Sequence, residues 1–191
     1  MSLQLVTPPA GEPVSLAEAK LHLRVDGGED DLLIGSLITA ARQAAETITH
    51  RQFITARWKL VMDAFPGHAV LINKSPLISV VAVEYLDMAG LAQTMPPSQY
   101  TVDAACEPAR FTPIFGQTWP PTLPQIGAVS VTFDAGYGAA GAVPEGIKSW
   151  IKLRVGSLYA HREEMSVLTR GRIDPLPFVD GLLDGFKVSV I

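Results

Sequence analysis

Residues 44–62 read Ala44-Ala45-Glu46-Thr47-Ile48-Thr49-His50-Arg51-Gln52-Phe53-Ile54-Thr55-Ala56-Arg57-Trp58-Lys59-Leu60-Val61-Met62. The period of the apolar positions changes inside this stretch, and that change decides the fold. Up to His50, the residues Leu33, Leu37, Ala41, Ala44 and Ile48 recur at steps of three and four, the spacing of one helix face. From residue 56, Trp58, Leu60 and Met62 alternate with Arg57, Lys59 and Val61, the period of a half-buried strand.

Upstream, the helix extends back to about Asp30. Glu29, Asp30 and Asp31 lie at its N-terminus, where the macrodipole favours negative charge, and Arg51 is expected to close the other end. Before it, Ser15 and Glu18 form a capping box, and Leu16, Ala19 and Leu23 predict a short helix over 15–24. Asp26-Gly27-Gly28 breaks it.

Downstream, 69–72, 77–86, 99–103, 110–115 and 128–134 are strand candidates, with a hairpin turn at Asp87-Met88-Ala89-Gly90. Prolines 96, 97, 108, 113, 120, 121 and 124 keep the connections non-helical. Helix returns at Pro144, which suits a first helical position. Ile147, Trp150, Ile151, Val155, Leu158 and Tyr159 form its apolar stripe through residue 160, with Lys148 and Lys152 on the opposite face. Residues 162–177 read as a polar loop, 177–184 as a short helix, and Phe186–Ile191 as a weakly alternating end of strand character. The expected fold is α+β: a helical bundle with an inserted antiparallel β-region, a meander or small sandwich. One domain over 1–191 would comprise an N-terminal helical block (1–55), the β-region (56–135) and a C-terminal helical block and tail (143–191).

Composition excludes several classes. The 191 residues are 48% hydrophobic and 18% charged, unlike a disordered chain. Fifteen Lys/Arg against 19 Asp/Glu gives −4, so no electrostatic footprint for tight nucleic-acid or anionic-membrane binding is present. Cys106 is the single cysteine, which excludes an intramolecular disulfide and a Cys-rich zinc site. No apolar run reaches the roughly 18–20 residues that cross a bilayer, and the start of the chain lacks the basic region of a signal peptide. A soluble, intracellular protein with no membrane partner is expected.

Gly136-Tyr137-Gly138-Ala139-Ala140-Gly141 spells G-x-G-x-x-G between a strand and a helix. A dinucleotide fingerprint needs its third glycine inside the helix and a following parallel strand. Here the helix starts beyond Gly141, so the motif reads as a strand-to-helix turn and no cofactor is expected. His22, His50, His68 and His161 have no metal-ligand spacing. Asp103, Cys106 and Glu107 are the one grouping from which a small enzyme would draw its site; a core cysteine and solvated carboxylates are the simpler reading. Arg162, Arg170 and Arg172 sit in the loop between two apolar helices, where arginine suits contact with an acidic partner. Phe186, Val188, Val190 and Ile191 would need covering, or addition to another sheet.

The order of signals resembles a known family. Ser15-Leu16-Ala17-Glu18-Ala19-Lys20-Leu21-His22-Leu23-Arg24-Val25-Asp26 precedes Glu29-Asp30-Asp31-Leu32-Leu33, Ala40-Ala41-Arg42 and Glu46. Pro76-Leu77-Ile78-Ser79-Val80, Phe133-Asp134-Ala135-Gly136-Tyr137-Gly138, Val143-Pro144-Glu145-Gly146-Ile147-Lys148 and Leu158-Tyr159-Ala160-His161-Arg162-Glu163 follow. Together they resemble the head–tail connector (adaptor, head-completion) proteins of long-tailed bacteriophages and prophages. Asp184-Gly185-Phe186-Lys187 departs from the Pro-Tyr-Arg-like ending of that family.

The resemblance implies a non-enzymatic virion protein at the head–tail junction, present in the host cytoplasm before assembly. It implies a cyclic homo-oligomer, a dodecamer, that binds the portal protein and a head-completion or tail protein while DNA passes through its channel. Another tail-completion protein is the neighbouring alternative. Arg162, Arg170, Arg172, Phe186, Val188, Val190 and Ile191 are the expected partner-interface residues.

Overall fold

A computed structural model describes residues 1–161 and 177–189. The chain divides into two compact units. One comprises Met1–Ala10, His50–Tyr137 and the chain end from Val188; the other comprises Gly11–Thr49 and Gly138–Lys187.

The first unit is a β-sandwich. Its strands are β1 (Ser2–Thr7), β2 (Ala56–Met62), β3 (Val70–Ile72), β4 (Leu77–Leu86), β5 (Ala92–Thr94), β6 (Tyr100–Asp103), β7 (Ala109–Pro113) and β8 (Val129–Ala135). A five-stranded sheet has the order β1-β2-β8-β4-β5 and a three-stranded sheet the order β3-β7-β6, with antiparallel pairing throughout. Strict alternation fixes the register: Val129, Val131, Phe133 and Ala135 are buried while Ser130, Thr132 and Asp134 are half-exposed. Slipping β8 by one residue would turn that set outward, which pins the pairing. Leu60, Val83, Val131 and Phe133 of the large sheet share one core with Val70, Ile72 and Phe111 of the small one. Phe111 stands edge-on to Trp119, which stacks on Phe65 with centroids 4.6 Å apart.

The outer face of the large sheet is polar and paired. Arg57 lies opposite Asp134 and bonds it at 2.8 and 2.9 Å. The Arg57 guanidinium holds the Asp134 carboxyl below its ordinary range. Lys59 reaches Glu84 at 3.7 Å.

Two strands lie outside the sequence reading. β1 is an edge strand with only Leu3 half-buried, so burial puts little pattern into its sequence. β5 has three residues, too few to show a period. A strand at the chain end is not found in residues 186–189.

The second unit contains α1 (Leu16–Leu23), α2 (Asp31–Thr49), α3 (Glu145–Ala160) and α4 (Pro177–Asp184). The Ser15–Glu18 capping box forms as expected, and the hydrogen bonds from Ser15 lower the Glu18 carboxyl pKa. Asp30 accepts the Tyr159 hydroxyl and Asp31 pairs with Lys20 at 2.6 Å, so the acidic helix start ties α2 to α3 and α1.

Three expectations need correction. The core face of α2 is offset from Leu33-Leu37-Ala41-Ala44-Ile48: the buried residues are Ile34, Ile38, Ala41, Arg42, Ala45, Glu46 and Thr49. Leu32-Leu33-Ile34 and Leu37-Ile38 make the apolar period degenerate, and a buried ion pair hides the true face. Arg42 donates to Glu46 at 2.7 Å and to Glu12 at 2.7 Å, and Glu12 also accepts from Thr39 at 2.9 Å. Arg51 does not close α2; the helix ends at Thr49, His50 turns left-handed, and Arg51 is buried in the β-unit. Lys148 is buried and bonds Glu145 at 2.9 Å rather than lying on a solvent face.

Among the described residues no helix is long and apolar enough to cross a membrane.

Candidate functional site

β6 delivers Asp103 to a tight loop that returns as β7. One Asp103 oxygen accepts the backbone N–H groups of Ala105 and Cys106 at 3.2 and 3.3 Å. The other accepts the Cys106 thiol at 3.0 Å and Arg110 Nε at 3.1 Å. The thiol bond first, with the Arg110 bond and the backbone donors, lowers the Asp103 pKa. The same bond raises the Cys106 pKa, and a protonated thiol is a poor nucleophile.

Glu107 takes a different partner. Its two oxygens receive the two terminal nitrogens of Arg51 in a fork-to-fork pair. The Arg51 guanidinium also lies 5.8 Å from the centroid of the Tyr137 ring. Burial raises the Tyr137 hydroxyl pKa. The structure thus gives each carboxylate its own arginine. The arrangement clamps the loop onto the segments at Arg51 and Tyr137; it does not assemble a nucleophile with a base.

Other sequence candidates are dispersed. No group of three or more His, Cys, Asp or Glu side chains converges on a metal-sized site among the described residues. In the glycine turn, Gly136 and Gly138 have φ of +135° and +123°, while Gly141 stands in open space with no such constraint. A Cβ at Gly136 would come within 2.8 Å of the Ile54 carbonyl carbon and the Thr55 nitrogen. Gly136 therefore serves close approach of two backbones. α3 begins at Glu145, well past Gly141, and the turn lacks the helix N-terminus that a dinucleotide pyrophosphate requires.

Of the expected interface residues, Arg162, Arg170, Arg172, Val190 and Ile191 lie outside the described residues. Phe186 is half-buried with its ring edge over Gly146, where a Cβ would stand 3.2 Å from it, and Val188 is buried.

Exposed apolar side chains occur elsewhere. At the end of the large sheet where β4 turns into β5 and β8 begins, Met88, Leu91 and Ile126 are 61%, 62% and 91% exposed. Asp87 fixes that turn by accepting the N–H groups of Ala89 and Leu91 at 2.9 and 3.0 Å. Phe115 is fully exposed beyond β7. An open cleft of about 550 Å³ beside it is lined by Phe65, His68, Pro113, Trp119, Pro120 and Pro121, with His68 its one ionisable group. Features of this kind suit contact between proteins, not bond-making. Their signal in the sequence is apolar residues placed within turns, where no period marks them.

Comparison with known proteins follows the same direction. Residues 13–84 match the family of phage gp6-like head-tail connector proteins, the family the sequence resembles. The whole chain superposes on 97% of a chain in the virion of the native gene transfer agent (GTA) particle, with TM-score 0.81 and 24% identity. It covers 97% of a chain in the neck of the empty GTA particle computed with C6 symmetry (TM-score 0.80, 24% identity). It likewise covers 97% of a chain in the neck of the native GTA particle computed with C12 symmetry (TM-score 0.78, 23% identity). In each case 100% of this chain is aligned. No curated protein matches.

Proposed function

We propose that this chain is a non-enzymatic structural subunit of the neck of a tailed phage or phage-like particle, joining the head to the tail as a ring. The observation that carries the reading is the match of residues 13–84 to head-tail connector proteins. The likeness of fold over the full chain to chains in the necks of GTA particles supports it. The twelve-fold symmetry of one such neck motivates a dodecamer here. A ring needs a heterologous interface, one patch meeting a different patch on the next subunit.

In this reading the partners are a second copy on each side, the portal protein above and a head-completion or tail protein below. DNA passes through the channel without capture, in keeping with a net charge of −4. The protein waits in the host cytoplasm and ends at the head–tail junction. The enzyme reading loses support because Asp103 and Glu107 are each held by an arginine and the Cys106 pKa is raised. Phe186 and Val188 already have cover within the chain, so Arg162, Arg170 and Arg172, with Val190 and Ile191, are the proposed portal or neighbour contacts.

Electron microscopy of the purified protein, alone and mixed with the cognate portal protein, tests the proposal. Rings seated on the portal are expected. A stable two-fold dimer that forms no ring and leaves the portal bare overturns it. Reversing the charge of Arg170 and Arg172 together should abolish joining while the monomer stays folded. Wild-type titre from that variant would place the contact elsewhere.

A further inference from the structure

The solvent face of α2 is unusual for a surface helix. Its exposed residues are Leu32, Ser36, Ala40, Gln43, Thr47 and Ile48, spaced as one continuous stripe, and none is charged. A surface helix ordinarily carries its charges on the side away from the core. α2 does the reverse. Its charged residues are Asp31, Arg42 and Glu46; Arg42 and Glu46 are buried in the ion-pair network with Glu12, and Asp31 is bonded to Lys20. The hydroxyls on the stripe are also withdrawn. Ser36 donates to the Leu33 carbonyl at 2.7 Å and Thr47 to the Gln43 carbonyl at 2.9 Å, so both spend their hydrogen on their own helix. Leu32 is 92% exposed at one end and Ile48 40% at the other.

We infer that this face of α2 is a self-association surface, covered by a second copy of the chain. The inference rests on the ring reading above and names the surface through which one subunit meets the next. The face has no cation for a phosphate backbone, which argues against nucleic acid as its occupant. Its size argues for a copy within a closed assembly. A helix of 19 residues is about 28 Å long, and a contact strip about 10 Å wide covers roughly 280 Å². A stable pairwise complex takes about 800 Å² per partner. Alone, the strip is too small to hold a dimer. In a ring every subunit makes two such contacts and closure makes the last one intramolecular, which multiplies weak contacts. Weak pairing with strong ring closure follows.

Gln43→Glu and Gln43→Lys test this directly, because Gln, Glu and Lys have similar helix propensity and Gln43 is exposed. Thermal unfolding by circular dichroism should leave both variants at the wild-type midpoint. Ring formation is then followed by light scattering and microscopy, with and without portal, and Ser98→Glu in the β-unit as the control. Both Gln43 variants should raise the concentration for half-assembly at least ten-fold, whichever sign is introduced, and Ser98→Glu should not. Assembly of either Gln43 variant at the wild-type concentration overturns the inference while leaving the ring reading intact. Normal rings from both, with DNA retained by Gln43→Lys alone, would assign the face to the channel and also overturn it. Failure of wild-type protein to form rings on the portal would sink the functional reading and this inference with it.

Discussion

Replacing Gly136 by alanine confronts two costs at once. The position has φ of +135°, a region that only glycine occupies freely, and forcing another residue there costs about 1–3 kcal/mol. The added Cβ would also lie 2.8 Å from the Ile54 carbonyl carbon and the Thr55 nitrogen, and 2.9 Å from the Ile54 oxygen. All three are backbone atoms, so no side chain can swing aside. Overpacking of that kind costs roughly another 1–3 kcal/mol.

The sum, about 2–6 kcal/mol, corresponds to a fall in Tm of roughly 4–24 °C at this chain length. Gly138 supplies the internal comparison: its φ is +123°, but a Cβ there meets only Ala142 Cβ at 3.6 Å, an ordinary contact. Gly138→Ala should therefore cost about 1–3 kcal/mol from backbone strain alone. Gly141, with open space and no positive φ, should tolerate alanine or gain about 0.4–1 kcal/mol. Urea denaturation of the three variants gives the order. A Gly136→Ala midpoint equal to or above that of Gly138→Ala would refute the steric argument.

Three further outcomes are expected. Glu18, Asp87, Asp103 and Asp134 all have carboxyl pKa values lowered by hydrogen bonds in the folded chain. The stability they contribute is present above about pH 4 and is lost as pH falls through their lowered folded values, so Tm measured from pH 6 to 2 should drop only below about 4. Arg42→Ala removes the buried cation that Glu12 and Glu46 share; a loss of about 3–5 kcal/mol is expected by chemical denaturation. Cys106 should react with a thiol reagent at neutral pH more slowly than free cysteine, and Asp103→Asn should speed the reaction by replacing the charged acceptor that raises its pKa with a neutral one.

How much of this was legible depended on what burial did to each segment. β8 read clearly because a sheet with one buried face imposes a period of two. β4 has two register shifts and no alternating burial; it was legible through its run of Val, Ile and Tyr, and the boundaries 77–86 match the strand residue for residue. α1 and α3 announced themselves through the Ser15–Glu18 box and Pro144. β1 did not, since an edge strand that buries little leaves little pattern. α2 was found but turned by about one residue. Periodicity assumes that charges point outward, and Arg42 with Glu46 point inward. The same assumption misplaced Lys148. The grouping of Asp103, Cys106 and Glu107 was visible as neighbours in sequence, but its chemistry was not. Arg110 lies across the β6–β7 pair and Arg51 lies 56 positions away, and only folding shows that these arginines take the two carboxylates.

The disposition of charge links these observations to the proposed role. On the outer face of the large sheet, cations are half-buried and paired: Arg57 with Asp134 and Lys59 with Glu84. On α2, the cation is buried and the exposed face carries no charge at all. A lysine or arginine already paired with a carboxylate displaces few counterions from a phosphate backbone, and it is counterion release that drives non-specific DNA binding. Neither surface would therefore hold DNA, although both are open to solvent in the isolated chain. In the proposed role, a subunit standing beside a moving duplex would need surfaces of this kind. The uncharged face of α2 then adds to the proposed arginine contacts a surface for self-association that needs no charge.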